Sequence, residues 1–565
     1  AETVTHGVSD PNPTITSTPD FSVDTPDPIA FGVAGIGTIY FQGGDANLRG
    51  RDFGIDAYLG GDDGGVPGSL VLLTSGDLSG GLTGLRAVNN SSGPTAISTD
   101  GFVEGGDRGI QITNGADTSG LSLYTHGVTG GNIGINAQHY GGGVVTVSAQ
   151  GQVTGTNWYG ITASNNPMIF NADGSLNSVT SQAGNPPTDV IVRASGGVTG
   201  GLTGLLALNG GMGVLQVDTL GGAVTGETRD GIVAMNTRFV LTPTDMWVTT
   251  DAVSGARHGI VAMNYGSGSN NVAAYGAVVG GTGYGIAAAN GVFSASSVVN
   301  DGYVLPLGAA GTDLTIEAID VSGGTVGIGA NNIGTGATSV TATGNVEAGD
   351  TGIYVFNAAT ATHLIVNAAD VSGGLTGINA RNWGTGATVI SATGIVEGGI
   401  YGRNEASAIA LVIDANEVNS TETGIEAWND GTGNTSITAT GVLTGGSQAG
   451  VLVNNGATAG DLWVAVTDVI GGRYGIGVAN GSAGAAPGDT TVVATGTVSG
   501  EAYGILAING DVSNAAIGML VPEVSGGDDL LGGNDLRIEA NNVSGGELGI
   551  ATLNGGTGAT SIYVA

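Results

Sequence analysis

The 565-residue chain has no cysteine and no lysine; all 12 of its basic residues are arginine. Without cysteine, disulfides cannot be what holds the fold. Charged residues make up 10% of the chain, less than half of the usual share of about 25%. The 12 arginines face 47 acidic residues, for a net charge of -35. Such a chain repels phosphate polymers and anionic lipid. Nucleic acid is therefore excluded as a partner, and so is docking on a membrane through a basic patch. Divalent cations are the one cofactor class left open, and none is required. No stretch approaches the roughly 18 consecutive apolar residues of a membrane helix, and none reads as an amphipathic helix. Disorder does not fit either: 41% of residues are hydrophobic, and they alternate in short runs.

Glycine is plentiful, at 110 residues, and it recurs at regular intervals. The motif Gly-(Ile/Leu/Val)-x-(Ala/Val)-x-Asn begins eighteen times between Gly54 and Gly549. Most steps are 25 to 30 residues, three are 42 to 45, and the most degenerate copy is "GRNEAS" at Gly402. Length alone would suggest three or four domains, but a solenoid grows without needing a new core. Within each motif the apolar residues alternate, as Ile378 and Ala380 do, which is the period of a strand with one buried face. A second run ("ATVISATG" at 387–394) and a short third piece ("IVEGG" at 395–399) complete the repeat. Strands this short bury a face only if each repeat is one coil and the coils stack, strand on equivalent strand. The expected fold is all-β, a right-handed parallel β-helix of about 20 coils with roughly 25 residues each. At roughly 4.8 Å per coil, eighteen coils make a rod about 85 Å long. Residues 1–50 hold no copy of the motif and five early prolines, and are read as an extended N-terminal segment or cap. Residues 51–565 are read as the β-helix.

The asparagine five residues after the anchor glycine is present in fifteen copies, with Leu59, His139 and Ser407 as departures. Asn209, Asn236, Asn264, Asn357 and Asn382 belong to this row. Asparagine tolerates a left-handed turn, and its amide can bond to the one above and below. The row is read as a structural ladder, not as a sugar-binding array. After residue 313 a second alternation appears. The residue before the valine of the third strand is acidic in every other coil: Asp320, Asp370, Glu417 and Asp468. Carboxylates stacked in adjacent coils would repel at about 5 Å, and skipping a coil doubles the distance. This reads as a two-coil unit multiplied by duplication, with a row of cation sites as the functional alternative.

Function is sought where the repeat is broken. Three extra segments, 166–188, 291–312 and 510–533, each follow an anchor asparagine and so leave the coil at one corner. Between residues 204 and 290 the outward positions of the anchor strand are apolar throughout: Leu206, Leu208, Val233, Met235, Val261, Met263, Ala287 and Ala289. A stripe of that size is not left wet without reason. Either the neighbouring segments fold over it, Met168–Phe170 and Val304–Leu307 first, or it is a contact surface for another protein or another copy. Elsewhere the outward pairs are mixed, such as Asn379 with Arg381 or Glu426 with Trp428.

Parallel β-helices include polysaccharide lyases and hydrolases, so catalysis must be weighed. Glycoside hydrolysis needs two carboxylates about 5–9 Å apart. The acid pairs Asp62–Asp63 and Asp528–Asp529 stand in glycine-rich loops, where solvated turns are the commoner use. "RHGI" at 257–260 resembles a fragment of a polygalacturonase motif, but its basic companions are absent. Histidines 6, 126, 139, 258 and 363 are dispersed, and no nucleophile–base pair or zinc set assembles from them. "GGNDLRI" at 532–538 resembles a single copy of a calcium-binding nonapeptide. It adds Asp535 to Asp62, Asp63, Asp528 and Asp529 as candidate cation ligands.

Strings such as "GLTGINARNWGTGATVISATGIVEGG" and "GIEAWNDGTGNTSITATGVLTGG" resemble the passenger regions of large glycine-rich autotransporters, type V secreted proteins of Gram-negative, especially alphaproteobacterial, bacteria. The likeness runs from about residue 50 to the end. It implies export by a signal peptide, a C-terminal β-barrel beyond residue 565 as the membrane anchor, and display at the cell surface. Many such passengers are adhesins or aggregation factors. The expectation is a non-catalytic extracellular rod that acts through contacts with other proteins, copies of itself or cell-surface glycans. A carbohydrate-active enzyme, or a stalk of a longer chain, is the alternative.

Overall fold

A computed structural model describes residues 14–16, 23–24, 26–165, 168–173, 176–179, 187–237, 244–291, 311–481, 488–510, 534–555 and 558–565. The chain is an all-β solenoid of parallel strands, with about 18 turns of about 26 residues. No helix occurs among the described residues. Two compact units divide it, Ala1–Thr312 and Asp313–Ala565.

In both units every coil feeds two parallel faces. The anchor strand forms one face. In the second unit Thr351–Asn357 lies beside Thr376–Asn382, with Ile353 opposite Ile378, Val355 opposite Ala380 and Asn357 opposite Asn382. The first unit follows the same rule: Ile232–Asn236 lies on Ile260–Asn264, with Ile232 on Ile260, Ala234 on Ala262 and Asn236 on Asn264. The second and third runs form the other face. Often they are one strand with a register shift where two strands were expected, as in Thr338–Ala348 beside Leu364–Gly373, shifted between Ala342 and Asn345. Like stacks on like, so each inward column keeps one residue size. Ile378, Ile390 and Val396 are fully buried in a single coil, and each contributes roughly 1.5–3 kcal/mol by leaving water. Branched residues suit these pleated, buried faces.

The anchor glycine is dictated by close approach. A Cβ at Gly475 would stand 2.6 Å from the Gly504 carbonyl oxygen and 2.6 Å from Cγ1 of Val498. At Gly204 it would meet Cγ1 of Val224 at 2.6 Å and the Gly231 oxygen at 2.8 Å. The third strand of the repeat and the next anchor glycine it leads into pass too close for a side chain at that corner.

Two boundaries differ from expectation. The solenoid begins inside the segment read as a cap: Ile29–Gly35 pairs in parallel with Phe53–Leu59, Phe31 opposite Ile55. Its alternating Phe31 and Val33 are buried like any anchor strand, but Ala30 stands where the glycine was sought. The copy at Gly402 is out of register. The strand is Ile400–Asn404, with Ile378 opposite Ile400 and Asn382 opposite Asn404. Its anchor glycine is therefore Gly399, and Asn404, not Ser407, continues the row.

Of the three extra segments, 166–188 holds a described hairpin, Met168–Phe170 antiparallel to Leu176–Val179. Residues 292–310, including Val304–Leu307, and 511–533 lie outside the described residues.

Candidate functional site

The asparagine row is a ladder, though not of the expected form. Asn209, Asn236, Asn264, Asn357 and Asn382 are fully buried. Each closes its own turn: Asn382 Nδ2 donates to the Gly386 carbonyl at 3.1 Å, while its Oδ1 accepts the Gly384 N–H at 2.9 Å. Direct amide-to-amide steps occur at Asn165–Asn209 (2.6 Å), Asn236–Asn264 (3.0 Å) and Asn455–Asn480 (3.0 Å). Elsewhere a buried threonine hydroxyl bridges. Asn429 Nδ2 donates to Thr435 Oγ1 at 2.9 Å, which donates to Asn455 Oδ1 at 2.6 Å. Thr338 and Thr388 likewise donate to the row, to Asn357 Oδ1 and Asn404 Oδ1.

The alternating acids bond to backbone. Asp320, Asp370 and Asp468 accept the N–H of Asn345 (2.9 Å), Ile395 (2.8 Å) and Thr497 (2.7 Å), each one coil on. At a second corner Asp461, Asp489 and Asp535 do occupy adjacent coils. Each accepts the N–H of its successor: Asp489, Asp535 and Ala559, at 2.9, 3.0 and 2.7 Å. Asp535 thus continues a backbone clamp. Asp62 holds a loop, accepting the Ser92 N–H at 2.8 Å and the Ser92 hydroxyl at 2.7 Å, besides the Ser91 hydroxyl. These bonds hold its carboxyl well below the usual carboxylate range. Asp63 bonds through its backbone carbonyl to Val66 N–H. Asp528 and Asp529 lie outside the described residues. Among the described residues, no group of three or more His, Cys, Asp or Glu is placed to hold a metal.

"RHGI" takes part in a buried ion pair. Asp230 is 1% exposed and meets Arg257 through two bonds, Nε to Oδ1 at 3.0 Å and Nη2 to Oδ2 at 2.7 Å. His258 Nδ1 accepts the Tyr284 N–H at 2.9 Å. Burial, more than the charges of Asp230, Arg257 and Arg229 around it, lowers the His258 pKa to about 4. The neutral ring wedges the corner between coils.

The apolar stripe forms the predicted column: Leu206 opposite Val233, Val233 opposite Val261, Leu208 opposite Met235 and Met235 opposite Met263. It is not an open contact surface. Leu206 and Leu208 are fully buried, and Val233, Met235, Val261 and Met263 are at most 6% exposed. The chain itself covers them. Of the segments expected to supply that cover, Met168 places its carbonyl 3.4 Å from Gln138 Nε2 on an earlier coil.

A mixed, half-buried outward face lies in the second unit. Register places two outward columns across five coils: Tyr354, Asn379, Tyr401, Glu426 and Leu452 in one, and Phe356, Arg381, Arg403, Trp428 and Asn454 in the other. Four steps of about 4.8 Å give a strip roughly 19 Å tall. Its side chains hold one another in place. The Arg381 guanidinium lies over the Tyr401 ring, 5.1 Å from its centre, and Arg381 Nε donates to Asn379 Oδ1 at 3.1 Å. Trp428 Nε1 donates to Glu426 Oε1 at 2.7 Å. Arg403 pairs with Glu405 at 3.0 Å and Asp430 at 3.5 Å. Trp383, 47% exposed, meets Phe356 edge-on at 5.2 Å.

No protein-family model, no curated protein and no solved structure matches the chain. The fold and this geometry are what bear on function.

Four of the ten strip residues, Asn379, Arg381, Glu426 and Trp428, were visible in the sequence as mixed outward pairs. Tyr401 and Arg403 were missed because the motif was set at Gly402. Read from Gly399, "GIYGRN" fits the repeat, its asparagine in the usual fifth place, and puts both side chains outward.

Proposed function

We propose that the chain is a non-catalytic, extracellular or cell-surface solenoid acting through contacts, and that the strip from Tyr354 to Asn454 is its contact face. What supports the reading is the composition of that strip. Tyrosine, phenylalanine, tryptophan and arginine are the residues enriched at the centres of protein interfaces. Here they stand half-buried on an outward strand face, with Arg381 exposed among them. Mutual pairing pre-orders the side chains, so little rotamer entropy remains to be lost on binding. Partners of the fitting kind are another protein or a second copy of the chain; surface glycans share the need for aromatic platforms. Display through an outer-membrane barrel, as in autotransporters, belongs to the same proposal.

The test compares the full chain with a Tyr401→Ala/Arg381→Ala/Trp428→Ala variant. Self-association is followed by sedimentation, and adhesion by retention of coated beads on cells. The variant should lose either association or adhesion while unfolding at the same temperature. If it keeps both, the strip is not the contact face.

A further inference from the structure

A second, independent feature lies in the first unit. Beside the hairpin that begins at Met168 is a cleft of about 460 Å³, lined by Arg108, Gln111, Asn136, Gln138, Trp158 and Met168, with Asn171 and Ala172 at the hairpin turn. That size lies within the range of small-molecule sites. Gln111 and Asn136 are neighbours on adjacent coils, in outward positions that are ordinarily wet. Yet Asn136 is 4% exposed and Gln138 is 8% exposed.

The hydrogen bonds orient these groups. Asn136 Oδ1 accepts from the Thr162 hydroxyl at 3.0 Å, and Gln138 Oε1 from the Tyr140 hydroxyl at 2.5 Å. Gln111 Oε1 faces Arg108 Nη1 at 3.3 Å. The acceptor end of each carboxamide is thus taken by the protein. The donor ends stay spare: Asn136 Nδ2 and Gln111 Nε2 find no acceptor among the described residues, and Gln138 Nε2 has only the long contact to Met168. Arg108 Nε is buried without a hydrogen-bond partner. That unmet buried donor costs stability unless a ligand or water takes it up.

We propose that this cleft binds an acidic saccharide, a uronic acid unit within a chain. Its carboxylate and ring hydroxyl oxygens would accept from Arg108, Gln111 and Asn136, and its apolar ring face would lie against the Trp158 indole. Arg108 Nη1 also meets the Asp107 carboxylate at 3.4 Å, so Nε–H is the guanidinium donor left for a ligand, and a site whose spare groups are donors selects a ligand rich in acceptors. The aromatic wall supplies area that a bare carboxylate cannot use. The inference stands apart from the contact strip, since no residue is shared.

The experiment is calorimetric titration of the full chain with oligogalacturonate and, separately, with maltohexaose. Saturable binding of the uronate is expected, at least about tenfold tighter than that of the neutral sugar. Gln111→Ala and Trp158→Ala should each weaken it by about tenfold or more. Gln111 is half-exposed, so its truncation leaves folding intact and keeps the test meaningful if Trp158→Ala destabilises. Trp428→Ala, on the contact strip, should bind the uronate like the parent chain. Equal affinity for the two sugars, unchanged affinity in both cleft variants, or no saturable binding overturns the proposal.

Discussion

At residue 139 an imidazole stands where most coils carry a carboxamide. Its Nδ1 faces Asn114 Nδ2 at 3.2 Å, and its Nε2 donates to the Gly142 carbonyl at 2.5 Å. A neutral imidazole offers one acceptor and one donor, as the amide does, so the substitution keeps the ladder. Burial lowers its pKa, and lowers that of His258 further, to about 4 from 6.5. The unfolded chain therefore binds protons at these positions before the folded chain does. Stability contributed by the neutral rings is present above pH 6.5 and is lost as pH falls toward 4, with no further loss below. For His258 alone the change is about 3 kcal/mol. Urea unfolding midpoints at pH 7.5 and 4.5 should differ less in His258→Gln than in the parent chain. Equal differences would show that the ring is not held neutral by the fold.

Among elements, the corner where the third strand meets the next anchor strand is the tightest. Gly475→Ala puts a methyl 2.6 Å from both the Gly504 oxygen and Val498 Cγ1, and neither can rotate away without moving a strand. Destabilisation of about 1–3 kcal/mol is expected, read as a lowered urea midpoint; a loss under 0.5 kcal/mol would mean the strands slide apart easily. Ala30 shows the limit of the rule. Its strand carries a methyl at the anchor position although the following anchor strand, the neighbour that crowds the glycine elsewhere, lies beside it. The strands and their stacking were legible because inward residues alternate and repeat. Register was legible where glycine and asparagine both stood in place, and it slipped by three residues at 399–404, where an internal Gly402 offered a false anchor. The stripe's burial was not legible. Outward apolar residues look alike in sequence whether they are covered by the chain or by a partner. The threonine bonds to the row could have been found, since Thr338, Thr388, Thr435 and Thr490 alternate with Leu364, Leu411, Leu462 and Leu536 at one register position.

At the scale of the whole molecule the dominant quantity is charge. With 12 arginines for 47 acidic residues, most carboxylates have no arginine to meet. The second unit stacks them along its corners. Asp320, Asp370, Glu417 and Asp468 recur every second coil, about 10 Å apart, and Asp461, Asp489 and Asp535 recur every coil, about 5 Å apart. Backbone N–H groups take one oxygen of nearly every one. That fixes the side chains in place without removing their mutual repulsion. At 0.01 M salt the screening length is about 30 Å and spans several coils; at 1 M it is about 3 Å, shorter than one coil step. Raising sodium chloride from 0.01 to 1 M should therefore raise the thermal unfolding midpoint, where an arginine-paired surface would show a fall. Sodium chloride is the right probe because it screens without strongly favouring burial of apolar surface, as sulfate would. A midpoint that stays level or drops would mean that the unfolded chain carries its charges as close together as the stacked coils do.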